Sequence, residues 1–127
     1  MNPHTILLAE DDRFLRRAAE VTLRRRGYSV TTAADGEEAL RLARADLPDL
    51  ILLDLLMPKV QGFEVLRALK ADPSTRGIPV IVLSNLSQPK DRDATVAAGA
   101  LEHLVKAHLS LDELADSVGR ALEAPSP

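Results

Sequence analysis

The stretch Ile51-Leu-Leu-Asp-Leu-Leu-Met57 places a single carboxylate, Asp54, among six large apolar side chains. Removing a charge from water costs several kcal/mol, roughly, unless the charge is paired or bound to a metal. Asp54 therefore needs a partner or a function, and the rest of the chain must supply it.

Short apolar runs alternate with segments of helical spacing five times along the 127 residues. This alternation predicts one α/β domain, in which a five-stranded parallel sheet is doubly wound by five helices. With right-handed crossovers, we expect the flavodoxin-like strand order 2-1-3-4-5. The predicted strands are Thr5 to Ala9, Ser29 to Ala33, Leu50 to Asp54, Val80 to Ser84 and about His103 to Val105.

The fourth predicted helix, Pro89 to Ala98, offers little for burial beyond Val96 and several alanines. We therefore expect it to be the most mobile of the five helices. The domain is expected to occupy residues 1–123. Residues 124–127, Ala-Pro-Ser-Pro, are expected to form a disordered tail or the stub of a linker.

The composition argues against several classes of function. A formal net charge of −3 provides no basic field for a phosphate backbone, so direct nucleic-acid binding is not expected. The absence of cysteine removes thiol catalysis, disulfides and thiolate metal sites. The amino terminus lacks a signal-peptide pattern, and no apolar run approaches the ~20 residues of a membrane span. We expect a cytoplasmic protein.

Polar side chains follow four of the predicted strands at their carboxyl ends. Because strands 1, 3, 4 and 5 would be consecutive neighbours, we expect these side chains to converge on one crevice. The set comprises Glu10-Asp11-Asp12 after the first strand, Asp54 at the end of the third, Ser84-Asn85 after the fourth and Lys106 after the fifth.

Each member of the set also has a plainer interpretation, such as a helix cap for Asp12, a satisfied hydroxyl for Ser84 or a solvated lysine for Lys106. Three carboxylates packed together without a cation, however, would repel one another and take up protons. Oxygen ligands with no His or Cys nearby favour Mg²⁺ or Mn²⁺, and a site with few protein ligands leaves room for phosphate oxygens. A lysine and a hydroxyl on the other flank would complete a phosphoryl-binding site.

These motifs, in this order, resemble the motif set of the bacterial response-regulator receiver domain, a CheY-like family of two-component signalling. The resemblance covers the chain from Thr5 to about Leu122. It rests on Asp11-Asp12, on Asp54 within Asp-Leu-Leu-Met-Pro-Lys-Val-Gln-Gly, on Ser84, and on Lys106 at the end of Gly99-Ala-Leu-Glu-His-Leu-Val-Lys106.

The resemblance implies that Asp54 is the phosphoacceptor, which takes a phosphoryl group from a histidine kinase or a histidine phosphotransfer protein of a phosphorelay. Mg²⁺ would be held by Asp54 with three further ligands, Asp11, Asp12 and the Leu56 backbone carbonyl. Ser84 would hydrogen-bond the phosphoryl group of the aspartyl phosphate, and Lys106 would pair with it. The chain would then be a signalling switch rather than an enzyme, a monomer or weak dimer that acts on an output protein the sequence does not name.

Two of the departures from the family pattern lie in or just after the fifth predicted strand. Lys106 is followed by Ala107 where the family usually has a cis-proline, so we predict either a trans peptide or a cis bond tightly held by its surroundings. His103 occupies the place of the aromatic residue that swings inward when the switch hydroxyl turns toward phosphate. It either substitutes a titratable ring for that switch, marks signalling through another surface, or is an exposed histidine without a role.

Three residues beside the expected phosphoryl site would modulate its chemistry. Leu56 and Leu86 lie where the family often has polar residues that influence the hydrolytic water. Neither leucine can orient water, so we predict slow self-dephosphorylation. Asn85 is bulkier than the small residue usual in the family, and it either narrows access or adds a donor.

The first predicted helix carries a dense basic charge, which is either a solvated face or a docking face for a kinase or phosphotransfer domain. The residues are Arg13, Arg16, Arg17, Arg24, Arg25 and Arg26.

Two other functions stay open from the sequence. One is a receiver-like interaction module that works without phosphorylation, which the unusual His103 and Ala107 motivate. The other is a Mg²⁺-dependent phosphohydrolase with Asp54 as covalent nucleophile, although no acid for the leaving group and no lid are evident.

Overall fold

The computed structural model describes residues 3–57 and 59–123 of the chain. The strands are β1 (Thr5–Ala9), β2 (Ser29–Ala33), β3 (Leu50–Asp54), β4 (Val80–Ser84) and β5 (Glu102–Val105). The helices are α1 (Arg13–Arg25), α2 (Gly36–Asp46), α3 (Gly62–Ala71), α4 (Pro89–Ala97) and α5 (Leu111–Glu123), with a 3₁₀ turn at Lys106–His108.

All five strands are parallel and form one sheet in the order β2-β1-β3-β4-β5. The predicted α/β class, strand order and five helices are therefore confirmed. The 3₁₀ turn after β5 was not predicted, and the tail predicted at residues 124–127 lies outside the described residues. None of the described helices combines the length and apolar character that crossing a bilayer requires.

Alternate residues of each central strand enter two separate apolar clusters, one on each face of the sheet. In β3, Ile51 and Leu53 pack with residues of α2 and α3, whereas Leu50 and Leu52 pack with residues of α1 and α5. Side chains of a strand alternate between faces, so a strand covered by helices on both sides is apolar at every position. Each fully buried aliphatic side chain contributes about 1.5–3 kcal/mol, and these contacts fix the position of β3.

The first residue of α3 lies directly against the end of β3. Gly62 N–H donates to the backbone oxygen of Leu55 at 2.9 Å. A Cβ atom added at Gly62 would collide with the backbone carbonyl of Asp54, so the close approach requires glycine here. The packing of α3 therefore helps to hold the backbone of Asp54.

Helix α4 buries the fewest residues of the five helices. Thr95 is its one buried residue among Pro89–Ala97, all of which the structure describes, whereas α3 and α5 bury four residues each. The sparse burial agrees with the sequence pattern, and the expected mobility of this helix stays a prediction.

Candidate functional site

Asp54 ends β3 at the carboxyl edge of the sheet and is almost fully buried, with 2% of its surface exposed. Its Oδ1 accepts a hydrogen bond from Leu56 N–H at 3.1 Å. Its Oδ2 lies 3.2 Å from Nζ of Lys106. The buried carboxylate is thus held in one orientation by a backbone donor on one side and an ammonium group on the other.

Glu10 is a second buried carboxylate at this edge, and it follows β1 directly. Its Oε2 accepts from Asp12 N–H at 3.1 Å, and its Oε1 lies 2.6 Å from Nζ of Lys106. Apart from this ion pair, Oε1 has no hydrogen-bond partner among the described residues. The guanidinium of Arg16 donates to the backbone oxygens of Glu10 and Asp11 and so fixes the loop between β1 and α1.

Three carboxylates come together at the site: each of Glu10, Asp11 and Asp54 offers an oxygen within 4.8 Å of the others. Asp12 was expected in this set and is not among the three. Its Oδ1 instead accepts from the backbone N–H groups of Phe14 and Leu15, which caps the N-terminus of α1. Sequence reasoning placed Glu10 in the crevice but not among the metal ligands, although its position directly after the strand was the available signal.

Burial and the neighbouring carboxylate of Glu10 raise the pKa of Asp54 from 3.8 to about 7, against the smaller opposing effects of Leu56 N–H and Lys106. For Lys106, burial alone would lower the pKa. The hydrogen bond to Glu10 and the charges of Asp54 and Glu10 outweigh burial, so the pKa of Lys106 is raised. The site therefore has one permanent positive charge facing an excess of acidic groups.

The donor set fits a hard divalent cation. It offers carboxylate oxygens only, one of which, Oε1 of Glu10, is buried with a single ionic contact. Mg²⁺ and Mn²⁺ prefer such oxygen ligands. A cation here would relieve the repulsion between Glu10 and Asp54 that raises the Asp54 pKa.

Ser84 ends β4 beside this cluster and is buried. It lies one residue beyond Leu83, the register partner of Asp54, and is itself paired with Val105, which precedes Lys106. The sheet thus places Ser84 and the backbone of Lys106 on the side of β3 opposite β1, and the Lys106 ammonium reaches back to Asp54 and Glu10. This distribution of acidic, hydroxyl and ammonium groups is suited to a phosphoryl group at Asp54.

The sequence matches the family model described as "Response regulator receiver domain" over residues 6–118. The chain belongs to this receiver-domain family. Receiver domains are the phosphoacceptor signalling switches of two-component systems, so the fold and the acidic edge of the sheet now have a functional context.

Two curated relatives match this chain over a small part of their own length. The response regulator PleD of Caulobacter vibrioides is 45% identical over 101 residues, which are 80% of this chain and 22% of PleD. A gliding motility regulatory protein of Myxococcus xanthus is 40% identical over 115 residues, which are 91% of this chain and 15% of that protein. The chain thus spans less than a quarter of either relative.

A solved structure supports the same assignment. It is the receiver domain of the sensor histidine kinase PA1611 from Pseudomonas aeruginosa, with a magnesium ion coordinated in the active site cleft. The TM-score is 0.87 at 32% identity, and the match covers 96% of this chain and 99% of that one.

The departures of this receiver domain from its family pattern at Ala107 and His103 have clear structural outcomes. The peptide between Lys106 and Ala107 is trans, one of the two predicted alternatives, and Lys106 opens the 3₁₀ turn. His103 has only 2% of its surface exposed, so its interpretation as an exposed histidine is wrong. Thr95, its hydrogen-bond partner at 2.9 Å, was not identified from the sequence.

Three large apolar side chains are exposed in the segments that follow β1, β3 and β4. Leu56 and Leu86 are 60% and 41% exposed, and Phe14 in the first turn of α1 is 85% exposed. Asn85 is also exposed, between Ser84 and Leu86. No polar side chain thus stands at position 56 or 86 to orient a water molecule toward the acceptor.

Proposed function

We propose that this receiver domain accepts a phosphoryl group on Asp54 from the phosphohistidine of a histidine kinase or a histidine phosphotransfer protein. The observation that carries the proposal is the buried Asp54 carboxylate, held between Lys106 and two further carboxylates at the open end of the sheet. A carboxylate fixed in this way can be oriented toward an incoming phosphorus atom.

In the proposed step, a carboxylate oxygen of Asp54 attacks phosphorus while the bond from phosphorus to the imidazole nitrogen of the donor breaks. The electron pair of that bond returns to the donor imidazole, and the product is an aspartyl phosphate. Glu10, Asp11 and Asp54 would hold Mg²⁺ together with the backbone carbonyl of Leu56. The bound cation would offset the negative charge of the phosphoryl oxygens.

Lys106 and Ser84 would then take up the product on the other flank. The Lys106 ammonium already bridges Glu10 and Asp54 at 2.6 and 3.2 Å, so it is close enough to pair with a phosphoryl oxygen on Asp54. The Ser84 hydroxyl now accepts from Leu86 N–H at 3.0 Å and would turn to donate to the phosphoryl group. The added charge would bias the conformation of the adjacent loop and helix.

The domain is proposed to act as a one-time acceptor rather than as a turnover enzyme. The exposed apolar side chains of Leu56 and Leu86 offer no hydrogen bond to a hydrolytic water, which supports slow self-dephosphorylation. The output would be a change in binding to another protein or to another part of a longer chain, because the two relatives described above carry the receiver domain within longer proteins.

The PA1611 receiver domain has Mg²⁺ in its active site cleft, which supports Mg²⁺ as the cation here. The proposed ligand set differs from the sequence expectation at one position: Glu10 replaces Asp12, whose Oδ1 is engaged in capping α1.

The test is the intact mass of the protein after incubation with Mg²⁺ and a small acyl-phosphate donor. We expect a gain of one phosphoryl group, lost in Asp54→Asn and in the presence of a chelator. No gain in a protein that binds Mg²⁺ would contradict the proposal and favour the interaction module that works without phosphorylation. Continuous release of phosphate from a monoester would instead favour a phosphohydrolase.

A further inference from the structure

The buried imidazole of His103 hydrogen-bonds through both ring nitrogens, and the two partners lie on different segments. Nε2 is 2.9 Å from the backbone oxygen of Leu86, in the loop between β4 and α4. Nδ1 is 2.9 Å from Oγ1 of Thr95, on α4. One side chain of β5 therefore joins the strand to both the loop and the helix that follow Ser84.

The partners fix the proton positions on the neutral ring. The carbonyl of Leu86 can only accept, so Nε2 of His103 carries a proton. Nδ1 is then the acceptor, and the hydroxyl of Thr95 donates to it. That hydroxyl also lies 3.0 Å from the backbone oxygen of Arg92, but its single proton cannot serve both acceptors. With both ring bonds made, the neutral ring is the Nε2–H tautomer.

Hydrogen bonds, more than packing, hold this part of the domain together. Thr95 is the one buried residue of α4, all of whose residues the structure describes, and it is the residue bonded to His103. A cavity of about 210 Å³ also lies against the ring, lined in part by Pro89 and Val105. The ring is buried, but its packing is incomplete on the side of this cavity, so loss of its two bonds would leave it room to move.

The same loop residue connects His103 to the proposed phosphoryl site. Leu86 N–H donates to Oγ of Ser84 at 3.0 Å, while the Leu86 carbonyl accepts from His103 at 2.9 Å. A Ser84 hydroxyl that turns away removes the acceptor of Leu86 N–H. The position of the Leu86 backbone, and with it the bond to His103, thus depends on where the Ser84 hydroxyl points.

We propose that His103, Thr95 and the Leu86 carbonyl form a hydrogen-bond clamp that holds α4 and its preceding loop against β5 until Ser84 turns toward a phosphoryl group on Asp54. The inference rests on the proposed function, because the phosphoryl group is what draws the Ser84 hydroxyl. The expected family response is an inward swing of the aromatic residue at this place. His103 is already buried, so an inward swing is not available to it, and the response proposed for it is the loss of its two hydrogen bonds.

The clamp itself is tested without phosphorylation, by amide hydrogen exchange of α4 in Thr95→Val. This substitution keeps the side-chain shape and removes the hydroxyl that bonds His103. We expect amide exchange in α4 to accelerate about two- to tenfold relative to the rest of the domain, because this factor corresponds to the net stability contributed by one hydrogen bond. The matched control is Thr75→Val, which removes another buried threonine hydroxyl, bonded to the Leu69 carbonyl at 2.7 Å.

Thr75→Val should leave the exchange of α4 unchanged relative to the rest of the domain. The ring nitrogen shifts of His103 should report the Nε2–H tautomer in the parent. Unaccelerated exchange of α4 in Thr95→Val, or equal acceleration in both variants, would overturn the clamp. His103→Phe, which fills the site with the type of ring usual in the family, should accelerate α4 exchange as well and guards against a folding defect in Thr95→Val.

Release of the clamp is tested with beryllofluoride and Mg²⁺, which together mimic the phosphoryl group. In the parent we expect the His103 ring signals to shift and α4 exchange to accelerate about two- to tenfold. In Thr95→Val, where the bond is already absent, the same addition should accelerate α4 exchange less. Bound beryllofluoride with unchanged ring signals would refute the release step alone. No binding in any variant would refute the proposed function and, with it, the release step.

Discussion

The raised pKa of Asp54 predicts an unusual dependence of stability on pH in the absence of divalent cations. In the folded protein the pKa of Asp54 is about 7, whereas its ordinary value, which applies to the unfolded chain, is 3.8. The contribution of protonated Asp54 to the free energy of unfolding is fully present below pH 3.8. It is lost as the pH rises through 7, because over this range the folded state binds a proton that the unfolded state does not. From pH 5 to pH 7 the loss is roughly 2–3 kcal/mol, at about 1.4 kcal/mol per pH unit.

Asp54→Asn removes this titration while keeping an oxygen that can accept from Leu56 N–H. In chelator, we therefore expect the variant to gain roughly 2–3 kcal/mol on the parent between pH 5 and pH 8. For a domain of this length, about 4 °C in Tm corresponds to each kcal/mol, so the difference between the two melting temperatures should widen by about 10 °C.

The assay is thermal unfolding of the parent and Asp54→Asn at pH 5 and pH 8, each with chelator and with excess Mg²⁺. Mg²⁺ should narrow the difference at pH 8, because a cation would stabilise the ionised carboxylates of the parent. Asp46→Asn, at an exposed position at the end of α2, is the matched control and should follow the parent at both pH values. A difference between parent and Asp54→Asn that does not change with pH in chelator would show that Asp54 has no raised pKa in the folded protein.

Three further predictions concern the cation, the lifetime of the phosphoryl group and the support of the acceptor. Glu10→Gln should weaken Mg²⁺ binding at least about tenfold, measured by calorimetry. Asp12→Ser, which keeps an oxygen that can cap α1, should not weaken it. Weaker Mg²⁺ binding in Asp12→Ser than in Glu10→Gln would restore Asp12 as the ligand. Leu56→Asn should speed loss of the phosphoryl group by roughly tenfold, measured by intact mass against time, and an equal or slower rate would contradict the role given to this position. Gly62→Ala should cost about 1–3 kcal/mol in denaturant unfolding, because its Cβ meets the backbone of Asp54; an unchanged midpoint would show that α3 can shift without cost.

The fold could be predicted from the sequence because each strand is a short apolar run with a helical pattern on either side. Four of the five strands have the predicted bounds, and the fifth begins one residue earlier, at Glu102. The convergence of Asp54 and Lys106 followed from the same prediction, since neighbouring parallel strands end at one edge of a sheet. The contact between Asp54 and Lys106 depends on the strand order, and the alternation of apolar runs with helical spacing predicts that order.

The choice between Glu10 and Asp12 depended on geometry that the pattern does not contain. Both are carboxylates within two residues of Asp11, and the turn after β1 decides which one enters the site. The backbone directs Glu10 toward Lys106, while Asp12 lies where its side chain can accept from the first N–H groups of α1. Local chain direction, and not residue type, therefore separates a candidate ligand from a helix cap.

The burial of His103 could not be predicted from the sequence for a related reason. A buried imidazole is stable only if both ring nitrogens find partners, and here one partner is a backbone carbonyl that carries no signature in the sequence. The other, Thr95, lies eight residues away on a helix whose pattern indicates little burial. The trans peptide at Lys106–Ala107 was one of two predicted alternatives, and the sequence alone gave no means of choosing between them.

Asp54, and no other acidic residue of the cluster, is proposed to carry the phosphoryl group. This proposal is tested most directly by treating the protein with Mg²⁺ and an acyl-phosphate donor, reducing the acyl phosphate with borohydride and sequencing the peptides by mass spectrometry. Reduction converts a phosphorylated aspartate to homoserine, and the peptide from Ala45 to Lys59 contains Asp46 and Asp49 as internal comparisons. We predict homoserine at position 54 alone. Homoserine at position 11 or 12, or at none of these positions in a protein that binds Mg²⁺, would contradict the account.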